Sequence, residues 1–514
     1  GPWPLATKFA SRTKVVELKA GIPLLVGERI NPTGRPLFQA EIKAGKTQVF
    51  RQEAAEQSRA GADLLDVNVS VPDIAESEMM GRAVKVIQAV TEQPLSIDSP
   101  SRFALEAGLK QFCGRALLNS VNGKKESLES FLPLAKKYGA AIIALALDEH
   151  GLPQTADDRV RIAERIVQSA LEKGLAREDI FVDCLVMTVG VGIHGCLETL
   201  KAIPLVKEKL GVKTILGISN VSHGMPERSK LNALYLQLAI AYGLDAAIVD
   251  VTDKGIRKAL AGTRYQVPGT REKLLEAFKA EVDRQRRLGK PGEKKREAVV
   301  KSIRLSGYQD IRKAVIVGDS EAVAELAKQA LAKKLNPQKI IDQGLIPGME
   351  IVGKKFSKKE YFLPQVIEAA EAMRRGFALC QARIPKGETK KAGKVVLATV
   401  KGDIHDIGKN IVKMLLENHG FTVVDLGKDV PPDIIIAAAK KERPNVIALS
   451  ALLTTTMVEM GVVKEELDKA KLNIPLLVGG AVVTKGYADR IGAVYSLDAV
   501  GAVALAKKII KAAG

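Results

Sequence analysis

The sequence predicts an α/β protein in three parts: a (β/α)8 barrel over residues 1–283, a four-helix bundle over 293–385, and a doubly wound parallel sheet of flavodoxin type over 386–514. Three observations support this prediction. Short apolar runs alternate with helical patterns eight times in the first part. Apolar residues then recur every three or four positions, and five more apolar runs alternate with helices at the end. The 514 residues are also too many for one core.

Eight apolar runs over about 250 residues, each followed by a helical pattern, are typical of a (β/α)8 barrel, in which the carboxyl ends of the strands meet at one face. The eight runs are Leu24–Val26, Leu64–Val67, Leu95–Ile97, Ala116–Leu118, Ala141–Leu147, Ile180–Val182, Thr214–Ile218 and Ala246–Val249.

Polar residues stand where these runs end. They are Glu28, Asn31, Asp66, Asn68, Asp98, Asn119, Asp148, Asp183, Asn220 and Asp250. Any one of them could be a helix cap or a turn residue. As a set, buried carboxylates and amides are costly unless they bind something, and they suit a flat heterocycle rich in N–H donors and ring nitrogens.

The second part has helical spacing in three stretches, Ser320–Lys334, Gln338–Lys354 and Phe362–Gln381. A fourth helix is expected earlier, near Glu297–Leu305 or Ile311–Val317, which completes a four-helix bundle.

The third part contains five strand-like runs, which are Val395–Val400, Thr422–Leu426, Val446–Leu449, Leu476–Val478 and Val494–Tyr495. Asp403, His405 and Gly408 follow the first run on a strand-to-helix turn, where ligands of doubly wound sheets lie. Imidazole is a common metal ligand, and a nearby carboxylate can orient it. The alternative is an ordinary helix start, with Asp403 or Asp406 as its cap.

Composition limits the function classes. Hydrophobic residues make up 46% and charged residues 27%, as in globular proteins, and no apolar run approaches the length of a membrane span. The net charge of +19 is spread over predicted helical faces, aromatic residues are only 4%, and no nucleic-acid recognition motif stands out. We therefore expect neither a nucleic-acid nor a membrane partner. The four cysteines form no C-x-x-C pair, which favours a reducing, cytoplasmic compartment.

The first part resembles the pterin-binding barrel of methyltetrahydrofolate methyltransferases and is close to the folate domain of the cobalamin-dependent methionine synthase family. The matching motifs are Gly27-Glu28-Arg29-Ile30-Asn31-Pro32-Thr33-Gly34, Leu65-Asp66-Val67-Asn68, Ile97-Asp98-Ser99, Leu118-Asn119-Ser120, Val182-Asp183 and Gly217-Ile218-Ser219-Asn220. The resemblance implies that Asp98, Asn119 and Asp183 hold the pterin ring and that Asn220 lies near N5, which carries the methyl group. Other expected folate-binding residues are Glu28, Asn31, Asp66 and Asn68.

The last part resembles the cobalamin-binding domain of the same family through Asp403-x-His405-x-x-Gly408, Ser450-x-Leu452 and Gly479-Gly480. The resemblance implies that His405 is the lower ligand of the cobalt and that Asp403 and Ser450 form a proton relay behind it. The glycine pair would admit the nucleotide tail of the cofactor.

The second part resembles the cap module that precedes this domain in the family, which implies that Phe356 and Leu363 lie over the upper face of the corrin. Without the resemblance, both residues could be ordinary bundle core.

These resemblances imply methyl transfer from 5-methyltetrahydrofolate to cob(I)alamin, giving methylcobalamin, with Asn220, Asp98 and His405 as the catalytic residues. The methyl group would finally go to homocysteine. A homocysteine-binding domain and a reductive reactivation partner are then expected to act in trans or to have been removed, and Gly1-Pro2 in place of an initiator Met indicates a processed or trimmed chain. The alternatives are a fused methyltetrahydrofolate:corrinoid methyltransferase of one-carbon metabolism and a non-catalytic corrinoid carrier.

Overall fold

The computed structural model describes residues 7–19, 21–72, 74–262, 270–288, 308–357, 360–383, 392–403, 407–452, 454–480, 482–497 and 499–513. The chain divides into two compact units, Gly1–Gln285 and Arg286–Gly514. Among the described residues, no helix has both the length and the apolar composition needed to cross a membrane.

The first unit contains a closed barrel of eight parallel strands, as predicted. Its strands are β3 (Leu24–Ile30), β4 (Leu64–Val67), β5 (Leu95–Asp98), β6 (Leu117–Asn122), β7 (Ala141–Leu145), β8 (Ile180–Asp183), β9 (Lys213–Gly217) and β10 (Ala246–Val249). Each strand pairs with its neighbour in sequence, and β10 closes the barrel by pairing with both β9 and β3.

Helices surround the barrel and bury their apolar faces against it. They are Pro36–Lys43, Gln48–Arg59, Glu76–Ile87, Arg102–Gln111, Lys125–Tyr138, Ala156–Glu172, His194–Leu210, Arg228–Ala241, Lys254–Gly262 and Thr270–Arg287.

A short antiparallel hairpin that the sequence did not predict covers the amino-terminal end of the barrel. It pairs β1 (Lys8–Ala10) with β2 (Val15–Glu17), and Ala10 bridges to Arg115, which precedes β6. Phe9 is fully buried against Phe181 inside the barrel, with ring centroids 5.8 Å apart. Because this end is filled with apolar side chains, the polar residues are left at the opposite, carboxyl-terminal end.

The described part of the second unit begins with a bundle of four helices, as predicted, whereas its role as a cap stays a prediction. The helical segments are Tyr308–Val317, Ser320–Ala332, Pro337–Ile340, Ile341–Leu345, Ile346–Ser357 and Leu363–Gln381. The helix Tyr308–Val317 agrees with the predicted position Ile311–Val317. The other predicted position, residues 297–305, lies outside the described residues. The predicted helix over 338–354 contains a π turn at Ile341–Leu345, which ends two residues before Pro347, a residue with no N–H to donate.

The remainder of the second unit is a five-stranded parallel sheet in the order β12-β11-β13-β14-β15, which is the predicted flavodoxin-type order. The strands are β11 (Gly393–Thr399), β12 (Phe421–Asp425), β13 (Val446–Ser450), β14 (Leu476–Gly479) and β15 (Val494–Ser496). The helices are Ile407–Asn418, Pro432–Glu442, Thr454–Lys469, Lys485–Arg490 and Ala499–Ala513.

The bundle and the sheet share one hydrophobic core. Ile311, Met349 and Met373 of the bundle belong to the same buried cluster as Val395 of β11 and Leu415 of the following helix. The bundle therefore packs against one face of the sheet.

Candidate functional sites in the barrel and in the sheet

The barrel site is built where the strands end. Asp66, Asp98 and Asp183 lie at or near the carboxyl ends of β4, β5 and β8, and Asn119 lies within β6. Asn220 follows β9 on a short 3-10 turn, Ile218–Ser222. The structure thus places the predicted folate-binding residues around one end of the barrel.

Four of the predicted folate-binding residues form a partly buried network of carboxylates and amides. The Asn68 side-chain amide donates to Asp98 Oδ2 at 3.0 Å, and the Asn119 amide donates to Asp66 Oδ1 at 3.2 Å. Ser96 Oγ also donates to Asp66 Oδ1, at 2.6 Å. Each carboxylate in the network therefore has a neutral donor, and no positive charge of the described residues contacts it directly.

Burial raises the pKa of both carboxyl groups. The pKa of Asp66 is raised mainly by loss of solvent, and the Ser96 and Asn119 hydrogen bonds offset part of this effect. The pKa of Asp98 is raised well above its ordinary value by burial and then by the negative charge of Asp66. A ligand with N–H donors would relieve this cost, which suits the heterocycle that the sequence predicts.

The turn that carries Asn220 is held from two sides. Ser219 Oγ donates to Glu28 Oε1 at 2.6 Å, and Arg228 Nη2 donates to the Ser219 carbonyl at 2.9 Å. Asn220 itself is exposed, and a Cβ at Gly217 would lie 3.2 Å from Asn220 Nδ2. The glycine thus leaves room for the Asn220 amide beside the strand end.

Glu28 is a carboxyl group of the site whose pKa lies near neutrality. Burial raises its pKa to about 7, the Ser219 hydrogen bond opposes the rise, and the negative charge of Asp250 adds to it. Glu28 can therefore hold or release a proton near physiological pH.

Asp183 and Asn31 both use a side-chain oxygen in a local turn. Asp183 Oδ1 accepts from Leu185 N at 2.8 Å, and Asn31 Oδ1 accepts from Thr33 N at 2.9 Å. Burial raises the pKa of Asp183 to about 6. Within the described part of the chain, its second carboxylate oxygen accepts no such turn hydrogen bond, so this oxygen is the one suited to a ligand.

Sequence reasoning missed several residues that build the barrel site. Ser96, Ser219, Arg228 and Glu76 shape it, and Glu76 accepts from both Ser70 and Ser99, at 2.8 and 2.6 Å. Ser96 was detectable in principle, because it lies two residues before Asp98 and therefore on the same side of β5.

In the sheet, Asp403 follows β11 and is fully buried. Its Oδ2 accepts from Leu452 N at 2.6 Å and from Thr456 Oγ1 at 2.7 Å. Ser450, the last residue of β13, has its Oγ 2.8 Å from Thr399 Oγ1. The strand ends that carry the predicted motif are therefore tied together, and Thr399 and Thr456 are partners that the sequence did not indicate.

His405 lies outside the described residues, so its role as the lower ligand and its part in a relay with Asp403 and Ser450 stay predictions. Gly408, at the start of the following helix, is exposed, and a Cβ there would meet no atom within 4 Å. This open space fits the approach of a bulky group such as a corrin.

The glycine pair brings two strand ends close together. Gly480 has φ +130°, and a Cβ there would lie 1.9 Å from the Ala451 carbonyl oxygen. A Cβ at Gly479 would lie 3.2 Å from the Ser496 carbonyl oxygen. Only glycine permits this close backbone approach at Gly480, beside Leu452 and the motif of β13.

In the cap, Phe356 is 44% exposed near the end of its helix. An exposed phenylalanine is not bundle core, which leaves it available to cover a ligand. Leu363 begins the last bundle helix, and its side chain is outside the described part of the structure.

Comparisons with known proteins agree with this architecture. Residues 27–250 match the pterin-binding enzyme family, and residues 308–381 and 393–505 match two B12-binding domain families. The chain is 32% identical over 500 residues to methionine synthase of Mycobacterium leprae and 31% identical over 496 residues to that of Mycobacterium tuberculosis. Both alignments cover 91% of this chain but only 40% and 41% of the relatives, so the chain spans about two fifths of their length.

Two solved structures are similar to parts of the chain. The methanol:cobalamin methyltransferase complex of Methanosarcina barkeri has 37% sequence identity over 39% of this chain and 78% of that chain, with a TM-score of 0.34. A cobalamin-binding protein of Desulfitobacterium hafniense has 31% identity over 40% of this chain and 98% of that chain, with a TM-score of 0.36. The chain is a homologue of the methionine synthases that joins a pterin-binding barrel to a helical bundle and a sheet, both of which match B12-binding families.

Proposed function

We propose that the chain transfers the methyl group of 5-methyltetrahydrofolate to cobalamin. The observation that carries this proposal is the network of carboxylates and amides at the barrel end, in which Asp98, Asn119 and Asp183 surround the opening and Asn220 stays exposed. Matches to a pterin-binding family and to B12-binding families on one chain support it.

In this proposal, Asp98 and Asp183 accept hydrogen bonds from the N–H donors of the pterin, while Asn119 can both donate and accept. They fix the ring so that the N5 methyl group points out of the barrel for in-line transfer. Asn220 donates to N5 as the methyl group departs, because a tertiary amine is a poor leaving group unless it gains a proton or a strong hydrogen bond.

The sheet would hold cobalamin through His405, and the open space at Gly408 and the close backbone approach at the glycine pair would admit the cofactor. When bound and reduced, cobalamin supplies a nucleophilic cobalt that accepts a methyl group. Asp403 would orient the imidazole, and Phe356 would exclude water from the opposite face.

The relatives are methionine synthases, so we propose homocysteine as the final methyl acceptor. This step would use a homocysteine-binding domain, and repair of oxidised cobalt would use a reductive partner. We also propose a reducing, cytoplasmic compartment, since all four cysteines are free thiols and a reduced cobalt must persist.

Single-turnover kinetics of the full chain loaded with cob(I)alamin test the proposal. On mixing with 5-methyltetrahydrofolate, the absorption of cob(I)alamin should decay, and Asn220→Ala should slow this decay far more than it weakens folate binding. Asn473→Ala, at an exposed asparagine of the second unit, is the matched control and should behave as wild type. Absence of decay in the wild-type chain would leave a non-catalytic carrier as the better account.

A further inference from the structure

Arg159, on the helix Ala156–Glu172, is the largest fully buried side chain among the described residues. Its Nε donates to the Cys184 carbonyl at 2.7 Å, and its Nη1 donates to the Thr155 carbonyl at 3.0 Å. Its Nη2 donates to the carbonyls of Leu185 and Gly195, at 3.4 and 3.3 Å. All four partners are neutral backbone oxygens.

Burying a guanidinium among neutral carbonyl groups is energetically unfavourable. Removing a cation from water is costly unless a counter-charge lies nearby, and no carboxylate among the described residues forms an ion pair with Arg159. A neutral side chain with amide donors could hold carbonyls at lower cost. The charge of Arg159 therefore calls for a reason other than holding a loop.

Two of the four carbonyls that Arg159 binds belong to the segment that sets the direction of Asp183. Cys184 and Leu185 follow Asp183 directly, and Leu185 N donates to Asp183 Oδ1 at 2.8 Å. Leu185 has φ 61°, a left-handed conformation that is unfavourable for leucine. Its carbonyl is fixed both by Arg159 and by Thr199 Oγ1, the latter at 2.8 Å. The guanidinium thus stabilises the conformation that directs one carboxylate oxygen into the turn and leaves the other for a ligand.

We infer that Arg159 is a positioning residue for Asp183, which it aims and keeps ionised so that this carboxylate accepts hydrogen bonds from the pterin. The inference rests on the proposed folate site. It assigns a function to a residue that touches neither substrate nor cofactor and acts only through Asp183.

The charges around Arg159 and Asp183 determine the direction in which Arg159 shifts the pKa of Asp183. Burial raises the pKa of Asp183 to about 6, while the Leu185 N–H and the charge of Arg159 lower it. Besides Asp183, the titratable groups that interact with Arg159 are Cys184, Cys196, Tyr235, Glu198 and Asp158. Without the guanidinium, the pKa of Asp183 should rise further. As the pH is lowered, Asp183 should then become protonated, and folate binding should be lost, at a higher pH than in the wild type.

Folate affinity of the full chain without cobalamin, measured by titration calorimetry with tetrahydrofolate between pH 5 and pH 8, tests this inference. Arg159→Gln keeps an amide donor and removes the charge, and it should raise the pH midpoint of binding by about one unit. Binding should then be about fivefold weaker at pH 6 and nearly unchanged at pH 8. An unshifted midpoint would overturn the inference.

Three further variants separate positioning from mere stability. Thr199→Val removes a hydrogen bond to the same Leu185 carbonyl without changing charge, so it should leave the midpoint in place. In an Asp183→Asn background, Arg159→Gln should shift nothing, and a shift there would assign the effect to another carboxylate. Arg159→Lys keeps the charge and should keep the midpoint, so a moved midpoint would contradict the inference even if Arg159→Gln failed to fold.

Folate binding by the wild-type chain distinguishes failure of the proposed function from failure of the inference about Arg159. If the wild-type chain binds no tetrahydrofolate at any pH, the proposed function fails, and this inference fails with it. If the wild-type chain binds with a midpoint near pH 6 and the Arg159→Gln variant shares that midpoint, only the inference about Arg159 fails.

Discussion

Replacing Glu28 by glutamine should make the barrel more stable at alkaline pH, whereas most substitutions in a folded protein are destabilising. Glutamine has nearly the shape of glutamate, and its carbonyl oxygen can still accept from Ser219 Oγ, which lies 2.6 Å from Glu28 Oε1. The substitution therefore removes mainly the ability to ionise.

The magnitude follows from the raised pKa of Glu28, about 7 in the folded barrel against 4.5 in an unfolded chain. A tenfold change in a protonation equilibrium corresponds to about 1.4 kcal/mol, so ionising Glu28 in the folded state costs about 3 kcal/mol. Because the pKa is raised on folding, the contribution of the protonated group is fully present below pH 4.5 and is lost as the pH rises through 7. About 2.5 kcal/mol of this loss should develop between pH 5 and pH 8.

Pulse proteolysis of the full chain in urea, with mass spectrometry of peptides from residues 24–30, measures the unfolding free energy of the barrel. The difference between the Glu28→Gln variant and wild type should grow by about 2.5 kcal/mol from pH 5 to pH 8. Glu78→Gln, at an exposed glutamate on the barrel surface, is the matched control and should show no such growth. A pH-independent difference for Glu28→Gln would refute the reasoning that burial sets the pKa of this group.

Three other predictions concern the second unit. His405→Gly should leave bound cobalamin without a protein nitrogen ligand, and an unchanged absorption spectrum of the methylated form would contradict this. Phe356→Ala should shorten the lifetime of the methylated form under light, because the phenylalanine is exposed and would cover the ligand; equal lifetimes would exclude the covering role. Lys409, only 2% exposed, pairs with Asp425 at 2.7 Å, so Lys409→Met should cost about 3 kcal/mol in urea unfolding, with part of it regained on adding Asp425→Leu.

The barrel and the sheet were predictable from sequence because their strands are short runs of valine, isoleucine, leucine and alanine, separated by helices of regular period. The β1–β2 hairpin was not predicted, since its strands have only three residues each and give no alternating pattern. The π turn at Ile341–Leu345, in the bundle helix over residues 337–357, was also not predicted. A Cβ on Gly344 would lie 3.2 Å from Ile311 Cγ2, a close approach that only the tertiary structure reveals.

The types of residue in the barrel site were predictable, but their partners were not. The sequence places Asp66, Asp98 and Asn119 at strand ends, yet the pairing of Asp66 with Ser96 joins residues 30 positions apart. Arg159 is the clearest example of a residue whose environment the sequence does not reveal. In the sequence it follows two aspartates at a helix start and looks like a surface residue, whereas packing against the loop after β8 buries it completely.

The most direct test of the central claim is an isotope transfer with the full chain, reduced cobalamin and 5-methyltetrahydrofolate whose methyl group is deuterated. Mass spectrometry of the extracted corrinoid should show the deuterated methyl group, in an amount close to that of the protein. Label that stays on the folate while the cobalt remains reduced would contradict the claim that the barrel and the sheet act on one methyl group.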